Sequence, residues 1–183
     1  MPASYMDIEA LPTPETSTAV LLSGLFEQLH RELVARELTT VGISFPDAQA
    51  GTGLGSRLRL HGPQEALRSL AEMSWLARVR DYYRIEAVRA VPADHALRLV
   101  RRLQPNLSAS KVRRLLARGS VTETRAAELL DTCRSLDAPF VQIRSSSSGQ
   151  RFRLFFEQVP TTVPIGASST FNGYGFGGAV PWF

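Results

Sequence analysis

Cysteine is almost missing from this chain: Cys133 is the only one in 183 residues. That excludes an internal disulfide and a thiolate metal cage, and it makes a reducing cytoplasm the expected compartment. Lysine is as scarce, Lys111 standing alone among 21 Lys+Arg. Nearly all positive charge is therefore guanidinium, which favours planar, bidentate contact with phosphates and base edges over plain solubility. No apolar run approaches the roughly 18 to 20 residues that a bilayer span needs. The first residues, with Asp7 and Glu9, lack the basic-then-apolar order of an export signal, so neither a membrane partner nor secretion is expected. The three histidines, His30, His61 and His95, lack the close spacing of a metal site. The glycine-rich loop 47–56 lacks the Gly-Lys-Ser/Thr ending of a phosphate loop. No metal and no cofactor is implied.

What is present begins with 44% hydrophobic content, enough for one large domain or two small ones with real cores. Net charge is +4, and the sequence pI of about 9.8 permits nucleic-acid binding without establishing it, because arginine-rich composition also follows from a GC-rich genome. Where the arginines cluster matters more than how many there are.

Residues 5–11 alternate and stop at Pro12 and Pro14, as a strand does. Thr16 to Thr18 can cap a helix in which Leu22, Leu25, Phe26, Leu29 and Leu33 recur at intervals of three and four, reaching about Glu37. Val41, Ile43 and Phe45 alternate as a second strand ended by Pro46, and residues 57–61 form a third. Gly62-Pro63 opens a second helix with Leu67, Leu70 and Ala71 on one face, and residues 82–91 supply a fourth strand after residues 75–79. This β-α-β-β-α-β order predicts an α+β protein whose residues 1–92 form a ferredoxin-like, or RNA-recognition-motif-like, domain. The usual base-stacking aromatics are absent from its central strands, so the fold alone does not imply RNA on the sheet.

After a short linker at 92–94 the character changes, and residues 93–183 are expected to form a smaller α+β domain. A strand at 97–104 bears Arg98, Arg101 and Arg102 and ends at Gln104. Ser108 or Ser110 can cap a helix carrying Lys111, Arg113, Arg114 and Arg118, of which Lys111, Arg114 and Arg118 share one face. A second helix from about Thr122 turns Leu129, Leu130, Cys133 and Leu136 inward and keeps an acidic outside. Residues 144–156, Arg-Ser-Ser-Ser-Ser-Gly-Gln-Arg-Phe-Arg-Leu-Phe-Phe, read as a β-hairpin whose tip is polar, basic and aromatic together. Two readings fit these features: a solvated basic helix beside an ordinary surface hairpin, or one nucleic-acid surface, with hydroxyls for ribose, arginines for phosphate and rings for bases. The tail, residues 161–183, shows no clear helix; its Asn172-Gly-Tyr-Gly-Phe-Gly-Gly run demands tight turns, and Val180-Pro-Trp-Phe supplies aromatics to dock.

His30 lies one turn after Phe26, at the edge of the first helix's apolar stripe. It is either a boundary histidine or a base that can take a proton near neutral pH. RNA carries its own nucleophile, the 2′-hydroxyl, so cleavage needs only a base, something to hold the ribose in line, and cations for the developing charge. His30, the serines at 145–148 and the arginines supply those roles.

The segments Leu25-Phe-Glu-Gln-Leu-His30-Arg-Glu-Leu33, Phe140-Val-Gln-Ile-Arg-Ser145, Gly149-Gln-Arg-Phe152-Arg-Leu-Phe155 and Gly177-Gly-Ala-Val-Pro-Trp-Phe183 together resemble a known family. It is the CRISPR repeat-processing endoribonuclease of subtype I-F, called Csy-four or Cas-six-f. The resemblance spans nearly the whole chain. It implies an arginine-rich helix, with Lys111, Arg113, Arg114 and Arg118, in the major groove of a repeat RNA stem-loop. It also implies metal-independent cleavage at the base of that hairpin, leaving a 2′,3′-cyclic phosphate and a 5′-hydroxyl. By position, His30 is the general base, Ser145 holds the 2′-hydroxyl, and Ser147 and Tyr174 support the site. Phe152 stacks on the terminal base pair beside Arg151, and Arg102 with Gln104 reads base edges. The implied partners are the crRNA hairpin and the other subunits of a crRNA-guided complex. This chain departs from the family pattern at Leu115 and Gly119 on the basic helix and at Glu157, which suggests that fewer phosphates are neutralised. A subunit that holds the hairpin without cutting it is the other class of function to weigh.

Overall fold

A computed structural model describes residues 2–51, 53–77, 80–103, 109–134, 137–145, 149–162 and 170–183. The chain opens with β1 (Ser4–Ala10) and α1 (Thr18–Ala35), followed by β2 (Gly42–Ser44), β3 (Arg57–Gly62), α2 (Gln64–Ala71), the single-turn α3 (Ser74–Ala77), β4 (Tyr83–Ile85) and β5 (Arg89–Ala90). Helix α1 forms where the leucines recur, and Leu21, Leu22, Leu25, Phe26, Leu29 and Leu33 are all buried. Ser17 occupies the N-cap position with extended φ and ψ, but its side chain makes no capping bond. The strands run β2-β3-β1-β4 and are antiparallel throughout.

The predicted fourth strand arrives in two pieces. Between its pairings with β4 and β5, β1 advances from Ile8 to Tyr5 while its partner advances from Ile85 to Arg89, three steps against four. One extra residue on one side is a bulge, and it breaks the strand. The stretch before it holds α3 and a 3-10 turn at Arg80–Tyr82.

The second half gives β6 (Ala96–Leu103), α4 (Ala109–Ala117), α5 (Glu123–Arg134), β7 (Phe140–Arg144), β8 (Arg151–Pro160) and β9 (Ala179–Trp182). These strands form another antiparallel sheet in the order β7-β8-β6-β9. Strand β9 has no counterpart in the sequence reading, because Pro181 argues against a strand; as an edge strand it tolerates proline. Phe183 then docks edge-on against Tyr5 at 4.8 Å, and Arg59 lies over the rings of both. Arg59 also holds Asp7 through two bonds of 2.7 and 2.8 Å in the interior of the first sheet.

One core serves both sheets. Phe45 stacks on Phe156 at 4.9 Å, and Phe176 packs against Phe26 and Phe156, each at 5.6 Å. The Gln158 side chain accepts from the Phe45 N–H and donates to the Phe45 carbonyl, both at 2.8 Å, and Ser23 Oγ accepts from the Gln142 N–H at 3.0 Å. Helix α1 thereby lies against strands of both sheets, with β7 beside it. Among the described residues, no helix is long and apolar enough to cross a membrane.

Candidate active site and nucleic-acid surface

The edge of the α1 stripe, the start of the β7–β8 hairpin and the turn before β9 meet around a cavity of about 790 Å³. Glu27, His30, Ser145, Gly149, Phe152 and Tyr174 are among its lining residues. Four of the residues expected to act together, His30, Ser145, Phe152 and Tyr174, are thus brought to one place from positions far apart in sequence.

His30 is half-buried, and its ring stacks on Tyr174 with centroids 4.3 Å apart and planes 20° apart. Tyr174 in turn lies parallel to Phe26 at 6.4 Å, so the histidine forms the outer end of an aromatic column rooted in the core. His30 Nδ1 is 2.6 Å from the Gly173 carbonyl oxygen. A carbonyl can only accept, so Nδ1 carries the hydrogen and the neutral ring keeps its lone pair on Nε2.

Ser145 follows β7 directly and is half-buried. Its N–H donates to the Gln150 carbonyl at 2.8 Å, and its carbonyl accepts from the Gly149 N–H at 2.9 Å, which closes the hairpin. Gly149 adopts φ 68°, and its carbonyl accepts from Arg144 Nε at 2.9 Å. Residues 146–148, and with them Ser147, lie outside the described residues.

The expected RNA contacts are more dispersed. Arg102 is exposed on β6 opposite Phe156, and Arg151 is exposed opposite Arg144 at the hairpin end. Gln104 and Ser108 lie outside the described residues, as does the Ser110 side chain. On α4, Lys111, Arg113, Arg114 and Arg118 are exposed while Val112 is buried, so the helix has one apolar anchor and a basic outside. The helix stops in a Schellman motif: the Ser120 N–H reaches the Leu115 carbonyl, the Gly119 N–H reaches that of Leu116, and Gly119 takes φ 68°. Gly119 thus stands where the resemblance expects an arginine because the helix ends there. Arg101 is paired with Glu157.

The sequence reading missed Gly173, Asn172 and Arg144. The Asn-Gly-Tyr-Gly run did signal a tight turn, but nothing local says which side chain that turn would serve. The remaining histidines are elsewhere. His61 is buried with Nε2 2.8 Å from Ser44 Oγ, and half-buried His95 bonds the Pro92 carbonyl at 2.7 Å. Among the described residues, no group of three or more His, Cys, Asp or Glu is placed to hold a metal ion.

Residues 5–183 match the family model described as CRISPR-associated protein (Cas_Csy4). The chain is 40% identical over 185 residues to a CRISPR-associated endonuclease Cas6/Csy4 of Pseudomonas aeruginosa (strain UCBPP-PA14), covering 98% of each. It is 36% identical over 184 residues to a protein of the same name from Escherichia coli (strain UTI89 / UPEC), again covering 98% of each.

Proposed function

The chain belongs to the CRISPR-associated Csy4 family, and from that membership we propose that it is an endonuclease that processes crRNA by cutting the repeat RNA at the base of its stem-loop. The observation that carries the mechanism is the convergence of His30, Ser145, Phe152 and Tyr174 on one cavity. His30 Nε2 takes the proton from the ribose 2′-hydroxyl, and O2′ attacks the adjacent phosphorus. The O2′–P bond forms as the P–O5′ bond breaks, and the departing oxygen acquires a proton. The products are a 2′,3′-cyclic phosphate and a 5′-hydroxyl. No step calls for a metal, because the nucleophile belongs to the substrate and needs only a base and an in-line pose. Ser145, with Ser147, orients the ribose; Tyr174 braces the histidine; Phe152 stacks on the terminal base pair.

The first half is read as a ferredoxin-like domain of residues 1–92, a reading supported by the β2-β3-β1-β4 order. Residues 93–183 bind the RNA. Arg113, Arg114, Arg118 and Lys111 contact groove phosphates, Arg151 contacts phosphate at the hairpin, and Arg102 with Gln104 reads base edges in the lower stem. The protein stays on its product in the cytoplasm as one subunit of a crRNA-guided complex.

Incubation with repeat RNA in EDTA tests the reading. A 5′ fragment ending in a cyclic phosphate is expected. RNA that remains bound and intact would make the chain a hairpin-binding subunit instead.

A further inference from the structure

The proton arrangement just used depends on a backbone oxygen, and that oxygen is held by a residue with no role in the mechanism above. Asn172 Oδ1 accepts from the Tyr174 N–H at 2.9 Å and from the Phe176 N–H at 3.2 Å. The Asn172 backbone adds two more bonds, its N–H to the Phe176 carbonyl and its carbonyl to the Gly175 N–H, each 2.8 Å. The Gly175 carbonyl then accepts from the Ile43 N–H at 2.9 Å, which ties the turn to β2. Both ends of the turn are therefore fixed, and Gly173 lies inside it. A Cβ on Gly173 would meet Val34 Cγ2 at 2.8 Å, so any side chain there must push either the turn or Val34 aside.

We propose that Asn172 is a positioning residue: by folding the 172–176 turn around its side-chain oxygen, it aims the Gly173 carbonyl at His30 Nδ1 and so holds the imidazole as the Nδ1–H tautomer. An isolated neutral imidazole exchanges between its two tautomers, and the base needs the one with Nε2 bare. His30 makes no hydrogen bond through Nε2 to a described residue, so among the described residues the Gly173 carbonyl is the group that selects the tautomer. The catalytic consequence rests on His30 being the base; the tautomer itself does not.

Long-range proton–nitrogen NMR of the imidazoles in the RNA-free protein reads this directly at alkaline pH, where unperturbed histidines are neutral. The wild type should show His30 with a protonated Nδ1 and a bare Nε2. Asn172→Ala removes the acceptor, and it should give a mixture of tautomers and slow single-turnover cleavage about 10- to 100-fold, the loss typical when the group that orients a functional histidine is removed, with RNA affinity retained. Asn172→Asp keeps an oxygen for both N–H groups and should keep the wild-type tautomer. If Asn172→Ala does not fold, Gly173→Ala, which displaces the carbonyl and leaves the Asn172 bonds in place, should produce the same mixture. The proposal is overturned if wild-type His30 carries its hydrogen on Nε2, or if the alanine variants leave the tautomer unchanged. Because that measurement uses no RNA, it stands apart from a His30→Ala protein that still cuts, which would remove only the base assignment.

Discussion

Two histidines of this chain have the same side chain and opposite fates, set by what surrounds each ring. His30 borders a cavity with one nitrogen bonded and the other without a hydrogen bond to any described residue. Replacing it with alanine should slow cleavage by roughly 100- to 10,000-fold while stem binding stays nearly intact, as measured by single-turnover assay and gel shift. A 2′-deoxy nucleotide 5′ of the scissile bond should block wild-type protein as completely. His61 is fully enclosed; burial first, and neighbouring Arg59 second, hold its pKa down to about 3. Its Nδ1 has no hydrogen-bond partner among the described residues. A folded value below the unfolded 6.5 means that the unfolded chain takes up a proton the fold refuses. The stability His61 confers is thus complete above pH 6.5 and declines as pH falls toward 3, at up to about 1.4 kcal/mol per pH unit. Between pH 7 and pH 5 the decline should be on the order of 2 kcal/mol in denaturant unfolding, and His61→Gln should lack that component. An equal pH dependence in the variant would mean that His61 does not supply it. Of these two, only His30 was legible as functional, since the edge of a helical stripe can be counted off in sequence. Its partner Gly173 is 143 positions away, a separation no local pattern spans.

At the scale of elements, periodicity recovered what local physics determines. The leucine spacing of α1 and the alternation of β3 and β8 both follow from neighbours within four residues. The two departures, the bulge between β4 and β5 and the edge strand β9, arise from pairing with distant strands, and Pro181 actively disguised the second. Helix α4 was legible as basic, and its exposed cations imply a separable purpose. It should supply affinity and not chemistry. Arg114→Ala with Arg118→Ala should weaken RNA binding and flatten the plot of log affinity against log salt by roughly 0.7 to 0.9 for each phosphate left without its cation, with bound RNA still cut at its normal rate. An unchanged slope in the double variant would remove this face of α4 from the interface, and a slowed cut of saturated RNA would give the helix a part in catalysis.

For the whole molecule, the sequence suggests two domains divided near residue 92, while the side chains join the halves through one apolar interior. The aromatic chain Phe26, Phe45, Phe156 and Phe176 crosses between the sheets, and the cavity bearing His30 and Ser145 exists only where they meet. Gln158 is the polar rivet of that junction. It satisfies both the N–H and the carbonyl of buried Phe45 from the opposite sheet. Gln158→Leu keeps a similar volume and strands both groups, which should cost about 1 to 3 kcal/mol for each one left unpaired. If the interior is shared, that cost falls on the entire chain. Calorimetry should show one transition in wild type and variant alike, with matching calorimetric and van't Hoff enthalpies, lowered by about 2 to 4 °C per kcal/mol of destabilisation. Two transitions, of which only the later-sequence half responds to Gln158→Leu, would instead mean that the halves fold as independent domains. In that case the active site would form only when they dock, and cleavage would fail at a lower temperature than either half melts.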